Sequence, residues 1–274
     1  MRFISAHHGG TAFAAAVVDD QAVPLAGHEE LGRATPSSLL VNPPVDERRA
    51  VPLAEVELRP VVPNPGKIVC VGSNYHAHVE EMGRTVTDYP VLFTKFATSL
   101  IGPYDDIVLP PESEQVDYEV EVAVVIGTRG RRIPKGRELE HVAGYAVAND
   151  VSMRDFQYKT HQWLQGKAWD TATPIGPMLV TPDEVDVENL DIRLTLNGVT
   201  LQESNTSLLI HDVRTIIRAV SGFATLEPGD VILTGTPGGV GFKREPQVFL
   251  HDGDRVVAEV GGVGRLENVV RAEA

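Results

Sequence analysis

The stretch Val116-Asp117-Tyr118-Glu119-Val120-Glu121-Val122-Ala123-Val124-Val125-Ile126 decides how the chain is read. Its β-branched content and strict alternation predict a strand, in which successive side chains point to opposite faces. That places Asp117, Glu119 and Glu121 on one face and Tyr118, Val120, Val122, Val124 and Ile126 on the other. Carboxylates that neighbour one another beside an apolar core repel, and burial sharpens the repulsion. A cation resolves it. A second apolar run, Gly144-Tyr145-Ala146-Val147-Ala148-Asn149, ends in another acid, Asp150. Glu119, Glu121 and Asp150 therefore form a candidate oxygen-donor site for a hard divalent ion. An edge strand with a charged outer face, paired to Lys or Arg, accounts equally for the local pattern.

Composition bounds the possibilities. The chain has 274 residues, 42% of them hydrophobic and 23% charged, which is ordinary globular composition with enough material for a sizeable core. A net charge of −14 argues against nucleic acid and anionic membrane surfaces as partners. It leaves an anionic substrate open, because a bound cation reverses the local field. The single cysteine, Cys70, sits in the apolar run Lys67-Ile68-Val69-Cys70-Val71 and reads as a buried strand thiol. No stretch has the length and apolarity of a membrane span or the pattern of a secretory leader, so a cytoplasmic location is expected.

Around the central stretch the chain divides into two expected units. Residues 1–65 read as a small β-rich N-terminal domain, its first strands joined at His7-His8-Gly9-Gly10. Pro43, Pro44, Pro52, Pro60, Pro63 and Pro65 form its linker. Residues 66–274 hold the main domain. After Gly72, the segment Tyr75 to Met82 reads as a helix capped by Ser73 or Asn74. His78 and Glu81 stand three apart on it and so lie side by side, the arrangement that orients a general base. A solvated surface pair fits the same spacing, and periodicity does not reject His76 and Glu80. Beyond Asp150, a helix starting near Ser152 places Arg154 and Gln157 on one side, and Arg offers a planar fork suited to a carboxylate. Residues 158–166 have little periodicity and read as a lid or as a surface loop.

The last third is more regular. Asn197-Gly198 between two apolar runs predicts a hairpin. Asp212 caps a helix whose Val213, Ile216, Ile217 and Val220 face the core. The Gly-rich run Gly235-Thr236-Pro237-Gly238-Gly239-Val240-Gly241 is neither a nucleotide-binding P-loop nor a dinucleotide fingerprint. It offers backbone N–H groups and the Thr236 hydroxyl to a carboxylate, or serves as a tight turn. Strands outnumber helices and hairpin turns join most neighbours, so the fold class is α+β, mostly antiparallel, with a few flanking helices.

Taken in order, five segments resemble the fumarylacetoacetate hydrolase superfamily. They are Ile68-Val69-Cys70-Val71-Gly72-Ser73-Asn74-Tyr75 with His78 and Glu81; Asp117-Tyr118-Glu119-Val120-Glu121; Ala148-Asn149-Asp150-Val151-Ser152 with Arg154-Asp155; Gly166-Lys167 with Asp170 and Pro174-Ile175-Gly176-Pro177; and Glu227 through Pro237. The resemblance covers nearly everything after residue 66. It implies a mixed β-roll, usually a homodimer, with Mg²⁺ or Mn²⁺ held by Glu119, Glu121 and Asp150. It assigns the water-activating dyad to His78 and Glu81, the active-site lysine to Lys167, and substrate-orienting groups to Arg154, Gln157 and Thr236. Met153, Ala168-Trp169 and Phe96 depart from the residues common in the family, where a small residue, Ser-Phe and Pro are usual.

The activity so implied is hydrolysis of a C–C bond in an acylpyruvate-type 2,4-dioxo acid through a metal-bound enolate. Oxaloacetate decarboxylation, or isomerisation of a 2-hydroxy-dienedioate in aromatic catabolism, uses the same constellation. A non-catalytic anion-binding protein is the reading from a different class. The full set of acids, dyad and lysine argues against it.

Overall fold

A computed structural model describes residues 1–273. Two sheets dominate it. The larger has twelve strands, and its path runs Val51–Pro52, Gln21–Pro24, Thr11–Val18, Arg2–His8, Thr173–Val180, Val142–Asn149, Val120–Ile126, Val231–Leu233, Ile68–Gly72 and Val91–Lys95. The smaller has five: Val199–Asn205, Asp191–Leu196, Arg255–Val260, Gly264–Ala272 and Ile107–Leu109. Most pairings are antiparallel. Parallel ones join Val231–Leu233 to Ile68–Gly72, Thr173–Val180 to Leu100–Ile101, and Gly264–Ala272 to Ile107–Leu109. The fold is the α+β, mostly antiparallel architecture expected.

Val120–Ile126 is central and not an edge. It lies between Val142–Asn149 and Val231–Leu233, antiparallel to both. Tyr118, Val120, Val122, Val124 and Ile126 pack into one core with Ile192, Leu194, Val256 and Leu266 of the second sheet. The helix Val213–Phe223 adds Val213, Ile216, Ile217 and Val220 to that core, with Asp212 accepting the Thr215 N–H as its cap. On the opposite face Ala123 and Val125 enter a second core, beside Cys70, Ala146, Ala148 and Leu233. With both faces covered, each buried valine contributes about 1.5–3 kcal/mol relative to exposure.

The N-terminal unit expected over residues 1–65 is β-rich, but it is no separate layer. Arg2 and Phe3 pair with Val180 and Leu179, so Arg2–His8 continues the main sheet. Phe3, Ala14, Ala16 and Leu25 share a core with Ile68, Ala123 and Ile175. The prolines punctuate a chain that crosses back onto its own sheet.

The helix expected over Tyr75 to Met82 spans His76–Glu81, with Tyr75 at the cap position and no side-chain cap bond. Asn74 is engaged elsewhere: its amide donates to the Thr234 and His211 carbonyls and accepts the His211 N–H. Tying three segments together takes precedence over capping. Among the described residues no helix is long and apolar enough to cross a membrane.

Candidate active site

The site forms where the central ladder is interrupted. Val116–Asp117 pairs with Ser152–Met153, and Val120–Ile126 with Val142–Asn149, leaving Tyr118 and Glu119 between ladders. Side chains complete the backbone there. Asn149 Oδ1 accepts the Glu119 N–H at 2.9 Å, and Gln202 Oε1 accepts the Val120 N–H at 3.1 Å. The Asp150 N–H donates to the Glu119 carbonyl at 2.8 Å. Such irregularities re-aim side chains. Here they bring Glu119, Glu121 and Asp150 together, with one carboxylate oxygen from each lying within 4.8 Å of the others and all three residues buried.

Three buried cations surround these acids. Lys167 Nζ donates to Glu119 Oε2 at 2.7 Å and to Asp150 Oδ2 at 2.8 Å. Arg154 pairs with Asp117 Oδ2 at 2.9 Å and Glu119 Oε1 at 2.7 Å. Lys95 Nζ donates to Asp150 Oδ1 at 2.6 Å and to the Val151 carbonyl at 3.3 Å. Burial alone would raise the Glu119 carboxyl, but Lys167 and then Arg154 outweigh it and hold it down to about 2. Burial likewise disfavours charge on Lys167, yet Asp150 and Glu119 raise its pKa overall.

Glu121 is the exception. It accepts the Gly235 N–H at 2.7 Å and has no cation partner among the described residues. Burial, then the charges of Asp150 and Glu119, push its carboxyl well above the usual range. The buried Tyr75 hydroxyl, close enough to feel the Glu121 charge, has no hydrogen-bond partner among the described residues. Four carboxylates thus face three cations, and the deficit falls on Glu121. A hard divalent ion fits this donor set in both charge and chemistry.

His78 lies beside the triad on the wall of the same cavity. It is 5% exposed, and its Nδ1 sits 3.3 Å from Glu81 Oε2, while His76 and Glu80 point to solvent. Glu81 also accepts the Gly239 N–H. Thr236 and Gln157 line the cavity, with Gln202 Nε2 donating to Thr236 Oγ1 and Arg154 donating to Gln157 Oε1. The cavity holds only about 20 Å³. A more open hollow of about 720 Å³, walled by Arg2, Arg193, Glu203 and Glu259, lies on a different part of the surface and contains none of these residues.

Residues 67–271 match the family described as fumarylacetoacetate (FAA) hydrolase, C-terminal. The chain belongs to this family. Within it the chain is 49% identical over 223 residues to oxaloacetate tautomerase FAHD2A, mitochondrial, from Bos taurus, covering 80% of this chain and 71% of the relative. It is 42% identical over 235 residues to the fumarylacetoacetate hydrolase domain-containing protein 2 homolog of Dictyostelium discoideum, covering 81% and 77%. Among solved structures it is similar to 5-carboxymethyl-2-hydroxymuconate delta-isomerase from Mycobacterium smegmatis, with a TM-score of 0.86 and 36% identity over the whole of both chains. The fumarylacetoacetate hydrolase of Exiguobacterium antarcticum superposes with a TM-score of 0.88 at 35% identity, again over both whole chains. The chain is an enzyme of this family.

All nine expected site residues converge on this one region. Lys95 is a site residue that the sequence analysis does not assign. The signal was a lysine inside an apolar strand, since lysines are almost never fully buried unless paired. Gln202, 1% exposed, carried no comparable signal. The Gly-rich run does present N–H groups to carboxylates, but to the protein's own: Gly235 to Glu121, Gly239 to Glu81, and Gly241 with Phe242 to Asp117.

Proposed function

We propose that this chain is a Mg²⁺- or Mn²⁺-dependent enzyme that interconverts the enol and keto forms of an oxaloacetate-type 2-oxo acid. Glu119, Glu121 and Asp150 hold the ion. The observation that carries the reading is the buried carboxylate triad with one acid lacking a counter-charge, opening on the same cavity as an oriented imidazole. The name of the Bos taurus relative supports it.

A bound divalent ion would supply positive charge that stabilises negative charge developing on the substrate. The rest falls to the chain. With Nδ1 turned to Glu81, His78 keeps Nε2 as the nitrogen that can accept a proton. His78 carries the proton exchanged between the substrate's oxygen and C3, so the reaction consumes no water. Lys167 holds Glu119 and Asp150 together and keeps a positive charge on the cavity wall. Arg154 fixes the Gln157 carbonyl oxygen and leaves the Gln157 amide N–H groups as donors. Thr236 Oγ1 accepts from Gln202, which leaves its hydroxyl proton as a donor.

The same dyad supports a second reading, hydrolysis of an acylpyruvate. There His78 deprotonates water, which attacks the distal carbonyl. The C–C bond breaks, and the pyruvate enolate so released takes up a proton. One assay separates the two. Mg²⁺- or Mn²⁺-loaded protein is given enol-oxaloacetate and acetylpyruvate, with Glu121→Ala and His78→Ala as controls. Metal-dependent loss of the enol absorbance, abolished by Glu121→Ala, supports the tautomerase. Acetylpyruvate cleavage lost in both variants supports the hydrolase. No metal-dependent turnover of either substrate sinks both. A homodimer belongs to this reading and is checked by light scattering. So does the cytoplasmic placement, although the Bos taurus relative carries "mitochondrial" in its name.

A further inference from the structure

Arg84 is the one arginine or lysine on the cavity wall that no acid among the described residues engages. Lys167 is taken by Glu119 and Asp150, and Arg154 by Asp117 and Glu119. Arg84 forms no ion pair among the described residues. Its Nη1 donates to Ser73 Oγ at 2.9 Å, its Nη2 donates to the Tyr158 hydroxyl at 3.4 Å, and its guanidinium lies 4.7 Å from the centre of the Trp163 ring. The backbone holds it in place. The Arg84 N–H donates to the Val79 carbonyl just past the helix His76–Glu81, and Ser73 turns toward it from a left-handed conformation, φ 55°.

Neutral hydroxyls and an indole face fix the fork without cancelling its charge. An arginine held this way keeps its capacity for a bidentate carboxylate. Glu119 and Glu121 of the triad line the same cavity, so a substrate anchored there by its 2-oxo acid head presents its other end to the remaining wall.

Resting on the 2-oxo acid reading above, we propose that Arg84 binds a second carboxylate at the far end of the substrate. The site then selects 2-oxo dicarboxylic acids over 2-oxo acids with a neutral tail. Oxaloacetate has such a carboxylate, and acetylpyruvate and pyruvate do not.

The test compares binding of oxaloacetate and pyruvate to Mg²⁺-loaded protein by calorimetry, for the wild type, Arg84→Met and Arg84→Lys. The two ligands share the head group and differ in the second carboxylate. The wild type is expected to prefer oxaloacetate by about tenfold or more, the scale of a charge-assisted hydrogen bond. Arg84→Met should erase the preference while leaving pyruvate affinity unchanged, and Arg84→Lys should keep part of it. A preference that survives in Arg84→Met overturns the proposal. So does an equal loss for both ligands, which would make Arg84 a support of the loop. Should Arg84→Met fail to fold, Arg84→Lys decides, because an undiminished preference without the planar fork also overturns it. If the wild type binds neither ligand with metal present, the 2-oxo acid reading itself falls, and the wild-type data alone show this.

Discussion

Glu121 and Glu119 sit on the same strand, two residues apart, and titrate in opposite directions because of what faces them. Lys167 and Arg154 hold the Glu119 carboxyl down to about 2. Its contribution to stability is therefore present above the ordinary carboxyl range and is lost as pH falls toward about 2. Glu121 has no cation, and its carboxyl is raised. In the metal-free protein its protonated form favours folding at low pH, and that contribution fades as pH rises above the ordinary range. A divalent ion must displace the proton from Glu121. Metal affinity should thus rise with pH, by up to about tenfold per unit while Glu121 is still protonated. Titration calorimetry in two buffers of different ionisation enthalpy should detect a proton released per ion bound. Glu121→Gln should abolish that release, and a buffer-independent heat in the wild type would refute the assignment. Lys95 makes a second residue-level case. It is 2% exposed and binds the Asp150 oxygen that Lys167 does not. Lys95→Met breaks a buried pair, at a cost of about 3–5 kcal/mol, and frees Asp150 to rotate. Loss of such a supporting partner typically lowers metal affinity or activity about 10- to 100-fold. Urea unfolding and metal titration check both effects, with exposed Lys159→Met as the control. Unchanged metal affinity in Lys95→Met would mean that Lys167 alone orients Asp150.

At the scale of elements, the segment between the helices Arg154–Gln157 and Leu164–Lys167 lines the site with Tyr158 and Trp163. The cavity of about 20 Å³ has room for a water molecule but not for a 2-oxo acid. Tyr158 stacks on Phe242, and Trp163 meets Phe93 edge-on with Arg84 across its face. Trp163 also rests directly on Gly72, where an added Cβ would stand 2.3 Å from the indole. Substrate entry is expected to move this segment. Pyruvate binding with Mg²⁺ should change the emission of Trp163, read in a Trp169→Phe background that removes the other tryptophan. Gly72→Ala should displace the indole beforehand and raise KM more than it lowers kcat. An emission unaltered by ligand would show that entry takes another route. The same elements show what the sequence made legible. Alternation along Tyr118 to Ile126 named the side chains that share one core, because which face a strand residue takes is a local property; it gave no sign that Ala123 and Val125 enter a second core. The ladder interruption at Tyr118 and Glu119 was not legible, since it depends on Asn149 and Gln202, 30 and 82 residues from their partners. The Tyr75–Met82 helix was legible from its spacing, while its cap was misplaced because Asn74 is recruited by Thr234 and His211. The dyad itself was readable only with the resemblance, for spacing alone left His76 and Glu80 open.

For the whole molecule, the order of strands matters more than the order of residues. A proline-rich stretch at 43–65 reads as a linker, and the sequence-family match begins only at residue 67. Sheet pairing is non-local, however, and no local signal shows that the first strand lies against Thr173–Val180. Residues 1–65 cover the second core: Phe3, Ala14, Leu25, Leu31, Leu40, Val61 and Val62 are all buried within it. On the other side of that core stand Ala146 and Ala148, on the strand that runs directly into Asp150, and Ala123 and Val125, on the strand that carries Glu121. Removing the first 65 residues would expose this apolar face together with an unpaired strand edge, a combination that promotes aggregation. The fragment 66–274 is therefore expected to be insoluble, or to bind Mn²⁺ far more weakly than the full chain. Adding residues 1–65 as a separate polypeptide should restore part of the binding if the two halves reassociate along the Arg2–His8 strand. The decisive measurements are the Mn²⁺ affinity and the cooperativity of thermal unfolding of the fragment. A soluble fragment that unfolds sharply and binds Mn²⁺ as the full chain does would show that the N-terminal strands are an appendage, and that the second core closes without them.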